Sequence, residues 1–202
     1  MTSWRDRISK FSGKTRFVVS RIFIHLAGDD VAPMLGVLNR VAREAIDADG
    51  DLEILGEGLV SVCQNLLQMS SYWQSAGNEG DVMWDEGEAG DYVNELFTDS
   101  AQRYLSEIDT SQAIDEEDDL PLSLPVTRNL VIMLTVAFEG ESPDLENNLA
   151  DIEALEYGLK ALINLHYQEK LRAIQIHFSP AKLGDELNGE QLLLNFPELV
   201  PL

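Results

Sequence analysis

Apolar residues alternate with polar ones in some stretches of the chain and recur every three or four residues in others, and these two periods separate strands from helices. Residues 16–28, "RFVVSRIFIHLAG", are dense in β-branched and aromatic side chains. Ile22, Ile24 and Leu26 alternate there with Arg21, Phe23 and His25, which predicts a strand. Ahead of it, Trp4, Ile8 and Phe11 have helical spacing, so a basic amphipathic helix competes with a loose lead-in. Gly13 and the β-branched density from Phe17 onward favour the lead-in.

Residues 29–47 open on Asp29 and Asp30, with Pro33 in the first turn, and carry an apolar face of Leu35, Leu38, Val41, Ala42 and Ala45. A second helix over 51–73 aligns Leu55, Leu59, Val62, Leu66 and Met69, and a third over 91–108 aligns Tyr92, Leu96, Ala101, Tyr104 and Leu105. Between Trp73 and Asp91 the chain is rich in glycine and acid, the composition of an exposed loop. Residues 128–138, "RNLVIMLTVAF", are almost wholly apolar, as a strand covered on both faces would be. A single helix over 142–168 is predicted from Ser142 at the N-cap, Pro143 at the first position and acids in the first turn. "KLRAIQIHFSP" (170–180) alternates as a strand, and a short helix around Glu190–Leu194 precedes the proline-bracketed tail.

These elements predict a mixed α/β or α+β protein with a small sheet of about three or four strands. A C-terminal β-α-β unit supplies two of them, parallel and joined by a right-handed crossover. The first strand joins at an edge. The expected organisation is an N-terminal strand and helices over 1–108, an acidic, proline-containing linker over 109–127 and a C-terminal region over 128–202, all within one integrated domain.

Charge narrows the functions. The 202 residues carry a formal net charge of -22, which repels nucleic acid and favours basic partners. The bases Arg5, Arg7, Lys10, Lys14, Arg16 and Arg21 sit against the single acid Asp6 near the start, so any contact with an anionic membrane would go through that segment. No apolar run approaches the roughly 18 residues of a membrane-spanning helix. The lone cysteine, Cys63, excludes an internal disulfide, and the start of the chain lacks the order of a secretory signal. A cytoplasmic location is expected.

Few residues propose chemistry. "LTVAFEGESPDLE" (134–146) has the strand, glycine turn and helix start of a phosphate cradle, but Glu139, Glu141, Asp144 and Glu146 surround the single glycine Gly140 and would repel a phosphate. A cation or a basic side chain would suit that corner, with nothing in the sequence placing one there. "DADGDLE" spaces Asp47, Asp49 and Asp51 like a calcium loop, yet its glycine falls early and no glutamate closes it, which favours an inter-helix turn. "IFIHL" and "IQIHF" each place a histidine near a strand end. His25 and His177 could meet over a metal if their strands were neighbours, but both alternate away from the main apolar stripe and read as half-exposed. His166 complements a helix C-terminus. Cys63 reads as a buried thiol. With no G-x-S-x-G, HExxH, paired CxxC or Walker loop present, no catalytic, cofactor or metal residues are assigned.

The most distinctive surface feature is a cluster of aromatics and acids: Met83, Trp84, Asp85, Glu86 and Tyr92. It would suit a basic or partly apolar protein partner. A pocket beyond the C-terminal strand ends, near Glu139, Glu141 and His177, is the alternative site.

The C-terminal third, "RNLVIMLTVAFEG", "LRAIQIHFSP" and "LNGEQLLLNFPELVPL", resembles the DUF1517 family of cyanobacteria and chloroplasts. The matching stretches are Leu130–Gly140, Phe178–Pro180 and Phe196–Leu202, and "LLQMSSYWQSAG" resembles the family's helix ending in a Tyr-Trp pair. Phe178–Ser179 stands where the family usually has Trp-Thr, and Asn195–Phe196 where Asp-Tyr is common. The chain also lacks the transmembrane segment and glycine-rich N-terminal region of many members. The resemblance carries no catalytic residues. It implies a regulatory or assembly role connected with photosynthesis, and with it the thylakoid periphery as the alternative location. The functional expectation is therefore a non-enzymatic adaptor or regulatory module that binds protein, the alternative being a small-ligand sensor or enzyme.

Overall fold

The computed structural model describes residues 15–105, 127–181 and 187–202. It is an α+β fold around a five-stranded sheet. The strands are β1 (Phe17–Ala27), β2 (Trp73–Met83), β3 (Asn129–Glu139), β4 (Leu171–Ser179) and β5 (Val200–Pro201), in the order β4-β3-β1-β2-β5. Every neighbouring pair is antiparallel. The helices are α1 (Ala32–Asp47), α2 (Leu52–Gln68), α3 (Glu86–Leu105), α4 (Pro143–Glu146, a single turn), α5 (Ile152–Tyr167) and α6 (Gly189–Asn195).

Alternation along β1 and β3 assigns the two faces. Val18, Ile22, Ile24, Leu26, Leu130, Ile132, Leu134, Val136 and Phe138 point to one side, where α1, α2 and α5 bury them in the main core. α2 crosses both of its helical neighbours closely. A Cβ at Gly56 would overlap the His166 ring of α5, and one at Gly58 would sit 2.6 Å from Val41 Cγ1 of α1. The opposite face is more polar and carries two smaller clusters. Phe17, Val19 and Ala137 pack under Ala89, Val93 and Leu96 of α3, whereas Phe23, Val131 and Met133 pack under Leu187 and Phe196.

Five sequence expectations give way, the first being the sheet of about three or four strands, which has five because the segment after Trp73 and the C-terminal tail both add a strand. β1 lies in the middle of the sheet, not at an edge, because both of its flanks pair along nearly its whole length. β3 and β4 are antiparallel neighbours, so there is no parallel β-α-β unit. The connection between them makes two passes. It first crosses toward β2, where the Asn78 side chain donates to Asn147 O (2.9 Å) and accepts from Leu149 N (2.8 Å), and α5 then brings it back. That detour also splits the single helix expected over 142–168. Ser142 provides no side-chain cap to α4, and Asp151 caps α5 by accepting from Glu153 N and Ala154 N.

The largest difference is the glycine-rich "loop" after Trp73, which is β2 followed at once by α3. Its glycines are required by close backbone approach. A Cβ at Gly77 would overlap Glu198 O on the way into β5, and one at Gly80 would overlap Val19 O of β1. The linker expected over 109–127 falls almost entirely outside the described residues, as does the lead-in carrying Trp4, Ile8 and Phe11.

Candidate functional site

Under α3 the polar face holds a charge network centred on Arg21. Its residue is 2% exposed, and its Nε and Nη2 donate to Glu79 Oε1. Nη1 donates to Ser100 Oγ (2.9 Å) and Leu96 O (3.1 Å), and pairs with Asp99 (2.7 Å). Arg103 continues the chain of charge to Asp99 (2.9 Å) and bidentately to Glu198 (2.7 and 2.8 Å). Both guanidinium groups lie over the Phe23 ring, at 4.8 and 5.3 Å from its centroid. Burial alone would raise the Asp99 and Glu198 carboxyls, but the arginines beside them hold both below the ordinary carboxylate range. The network fastens β1, β2, α3 and the C-terminal tail together. Each cation in it is matched by carboxylates, which makes it a clamp in structure.

Next to it, His177 lies in β4 opposite Met133, edge-on to Phe97 with ring centroids 5.2 Å apart. Burial first, and the charge of Arg21 second, lower its pKa. Its Nδ1, Thr135 Oγ1 and Gln175 Oε1 are buried without hydrogen-bond partners. His25 is held between Ser75 Oγ (3.2 Å) and Asn129 Oδ1 (3.1 Å), and burial lowers its pKa too, opposed by the Asn129 bond. β3 intervenes between the two histidine strands. At about 4.8 Å per strand and two residues of offset, the side chains stand on the order of 10 Å apart, too far to share a metal. Among the described residues no group of three or more His, Cys, Asp or Glu could hold a metal ion. Asp51 of the would-be calcium loop caps α2, and Asp49 and Gly50 take positive φ in the turn before it. Cys63 is fully buried, and burial pushes its thiol well above the usual range.

The carboxylate corner at 139–146 has the basic side chain that the sequence could not place. Arg16, 8% exposed, donates to Gly140 O and to both oxygens of Glu146. β1 runs antiparallel to β3 with Phe17 opposite Glu139, so the residue before the strand arrives at that corner. Glu139 pairs outward with Arg172 (2.8 Å), and Glu141 Oε1 is buried without a partner. His177 is not with them. It pairs with Met133, six residues along β3 from Glu139, a distance on the order of 20 Å. In an antiparallel pair the C-terminal ends lie at opposite sides of the sheet, so the pocket expected beyond the C-terminal strand ends is not assembled.

The aromatic and acidic residues do gather, at the β2–α3 corner. Met83 ends β2 and packs with Tyr92 on the small cluster beneath α3. Trp84 is 46% exposed. Asp85 accepts from Gly87 N (2.9 Å) and Glu88 N (3.2 Å), opening α3, whose first residue is Glu86. From Glu79 to Gln102 the sequence has eight carboxylates and no Lys, Arg or His. The field is felt at Tyr92, whose phenol is raised by burial first and then by Glu79, Asp81 and Glu95, with Arg21 opposing.

A feature missed from sequence is the flank of β2. Among the described residues the C-terminal tail pairs along Gln74 to Ala76, and beyond them a cleft of about 400 Å³ opens, lined by Val18, Val82 and Leu145 and by the polar Ser20, Glu146 and Asn147 among others. The glycines that concealed β2 concealed this edge as well. No helix among the described residues is long and apolar enough to cross a membrane.

No curated protein and no solved structure matches the chain. A family model described as "Protein of unknown function (DUF1517)" matches residues 16–202, from the arginine of the carboxylate corner through the C-terminal strand. The chain belongs to the DUF1517 family.

Proposed function

We propose that this protein is a non-catalytic adaptor that docks a basic, partly apolar protein partner at the β2–α3 corner. The observation that carries the reading is the half-exposed Trp84 standing among carboxylates, Asp81, Asp85, Glu86 and Glu88, that form no ion pair among the described residues. An indole at the surface supplies a large apolar contact, and the acids around it supply attraction and orientation. The internal cations Arg21 and Arg103 are already committed to Glu79, Asp99 and Glu198, so among the described residues the other acids of this corner are left to attract an outside cation. The family resemblance adds an expected setting in photosynthetic regulation or assembly, in the cytoplasm or at the thylakoid periphery.

Affinity capture from host extract with three baits tests this: the wild-type protein, Trp84→Ala, and Asp85→Lys/Glu86→Lys. A defined partner should be retained by the wild type, be lost from both variants and weaken between about 0.1 M and 1 M salt, as the screening length falls from about 10 to about 3 Å. A partner held equally by all three baits refutes the assignment of the surface.

A further inference from the structure

We infer that the partner binds as a β-strand added to the open edge of β2, with a basic residue at every second position. The inference rests on the docking reading above and specifies how that site is used. β5 establishes the geometry: it lies antiparallel to β2 along the same edge, and Leu202 N donates to Gln74 O (3.1 Å). The even-numbered residues of β2 therefore turn their backbone groups toward that side. At Gly77 the chain leading into β5 abuts the strand through Glu198 O, and the Asn78 side chain is spent on residues 147 and 149. From Glu79 to Met83 no strand covers the edge among the described residues, which leaves Gly80 and Val82 to receive main-chain bonds.

The register then dictates the pattern of the incoming strand. Glu79 and Asp81 share the face of Val19 and Arg21, opposite which they pair. Alternate side chains of an added strand on that face would meet Asp81 and, beside it, Glu79, whose Oε1 is already held by Arg21, and cations fit there. On the other face the intervening side chains would enter the cleft lined by Val18, Ser20, Val82 and Leu145. Asn78, Glu146, Asn147 and Asn148 also line the cleft, but Ser20, 2% exposed and with no hydrogen-bond partner for its Oγ, gives the wall between Val18 and Val82 one unused polar atom. Small apolar or hydroxyl side chains fit that wall. Trp84 follows Met83 directly and would cover the end of the added strand.

The opposing reading is that the acids defend the edge, because charge and glycine on an edge strand discourage pairing. The Asp81 carboxylate does accept the N–H of Val82 (2.7 Å). A lysine or arginine across from Asp81 would draw that carboxylate away and free the N–H for a strand. A defended edge would bind no strand at all.

Calorimetry with the full chain separates the two. The probes are a nine-residue peptide of alternating lysine and valine, the same peptide N-methylated at every second backbone amide, and a block peptide with its lysines at one end. Strand addition predicts that the alternating peptide binds, that N-methylation weakens it at least tenfold, and that the block peptide is similarly weak. Val82→Pro should abolish the difference between the first two, and its thermal unfolding shows whether the variant has folded. If it has not, Asp81→Lys, exposed at the surface, should weaken the alternating peptide alone. Equal binding of all three peptides, lost in Trp84→Ala, overturns strand addition and leaves basic docking standing. Absence of binding by every peptide overturns strand addition, and the capture experiment then decides the docking reading separately. Self-association of the wild type that Asp81→Lys disrupts would give the edge to a second copy of the chain, which also overturns the inference.

Discussion

Replacing Arg21 by methionine isolates the contribution of the clamp beneath α3. Methionine keeps much of the buried length and removes the donors. Three losses follow. Ser100, fully buried, and Leu96 O lose the Nη1 bonds, and each buried group left unsatisfied costs about 1–3 kcal/mol. Leu96 O also lies within α3, which puts its share at the low end. Glu79 and Asp99 lose their cation, but their side chains are 35% and 42% exposed and can rehydrate, so that term is small after solvent screening. The stacking on Phe23 is exchanged for a thioether contact of similar worth. The net expectation is a loss of about 2–4 kcal/mol. For a chain of this size that corresponds to a fall in Tm of about 5–15 °C. In urea the midpoint should drop by about 1–2 M with an unchanged slope, taking a slope of about 2 kcal/mol/M. Asp99→Asn should cost less beside Arg21→Met than in the wild type, because the Arg21–Asp99 pair is already lost there while the Asp99–Arg103 pair is broken in both backgrounds. Acid gives an independent reading. The folded carboxyls of Asp99 and Glu198 lie below their ordinary values. Their contribution is therefore complete above about pH 4 and is lost as pH falls through the folded values. The acid-induced loss should be shallower in Arg21→Met. A stability within about 0.5 kcal/mol of wild type would refute the view that Arg21 holds this face together.

Gly56→Ala should destabilise by about 1–3 kcal/mol, since its methyl group would overlap His166 in a packed helix crossing. Beside His166→Ala the same substitution should be neutral or stabilising, as alanine is the better helix former by about 1 kcal/mol; equal costs in both backgrounds would count against the crossing. The pKa of His177 is lowered in the fold by burial and by Arg21. Its contribution is thus present above about pH 6.5, the unfolded value, and is lost as pH falls through the lower folded one. His177→Phe should flatten the fall in stability between pH 7 and pH 5, with His25 supplying what slope remains; an unchanged pH profile by urea titration would be the contrary result.

Much of this fold is written in its apolar periods. β1, β3 and β4 were legible because their alternation or continuous apolarity survives on every residue, and α2 because Leu59, Val62 and Leu66 fall on one face. β2 was hidden for a physical reason. One of its faces meets α3 through charge, and Gly77 and Gly80 stand where other strands would place side chains, so almost no hydrophobic period remains. The order of strands was equally hidden. The return of the chain through Asn147–Leu149 depends on Asn78, seventy residues away, and no local pattern announces a bond of that range. The Met83–Tyr92 cluster could be named from sequence as aromatics among acids, yet the edge beside it could be recognised only once β2 was known to be a strand.

The distribution of charge ties these features to function. The carboxylate corner around Gly140 and the acids under α3 resemble each other in sequence, but both have internal cations: Arg16 answers Glu146, and Arg21 with Arg103 answers Glu79, Asp99 and Glu198. Two of the six bases near the start of the chain are thereby placed inside the fold. Asp81, Glu86, Glu88, Asp91 and Glu95 gain no such partner among the ion pairs of the described residues, and all but a few residues of that segment face solvent. Repulsion among them raises the free energy of the isolated protein, if only modestly at physiological salt. Glu86 and Glu88 suit the first turn of α3, but that turn gives no reason to collect Asp81, Asp91 and Glu95 beside an exposed indole and a strand edge left open among the described residues. A cationic strand lying between Glu79 and Trp84 would relieve the repulsion, pair the edge and bury the indole in a single binding event.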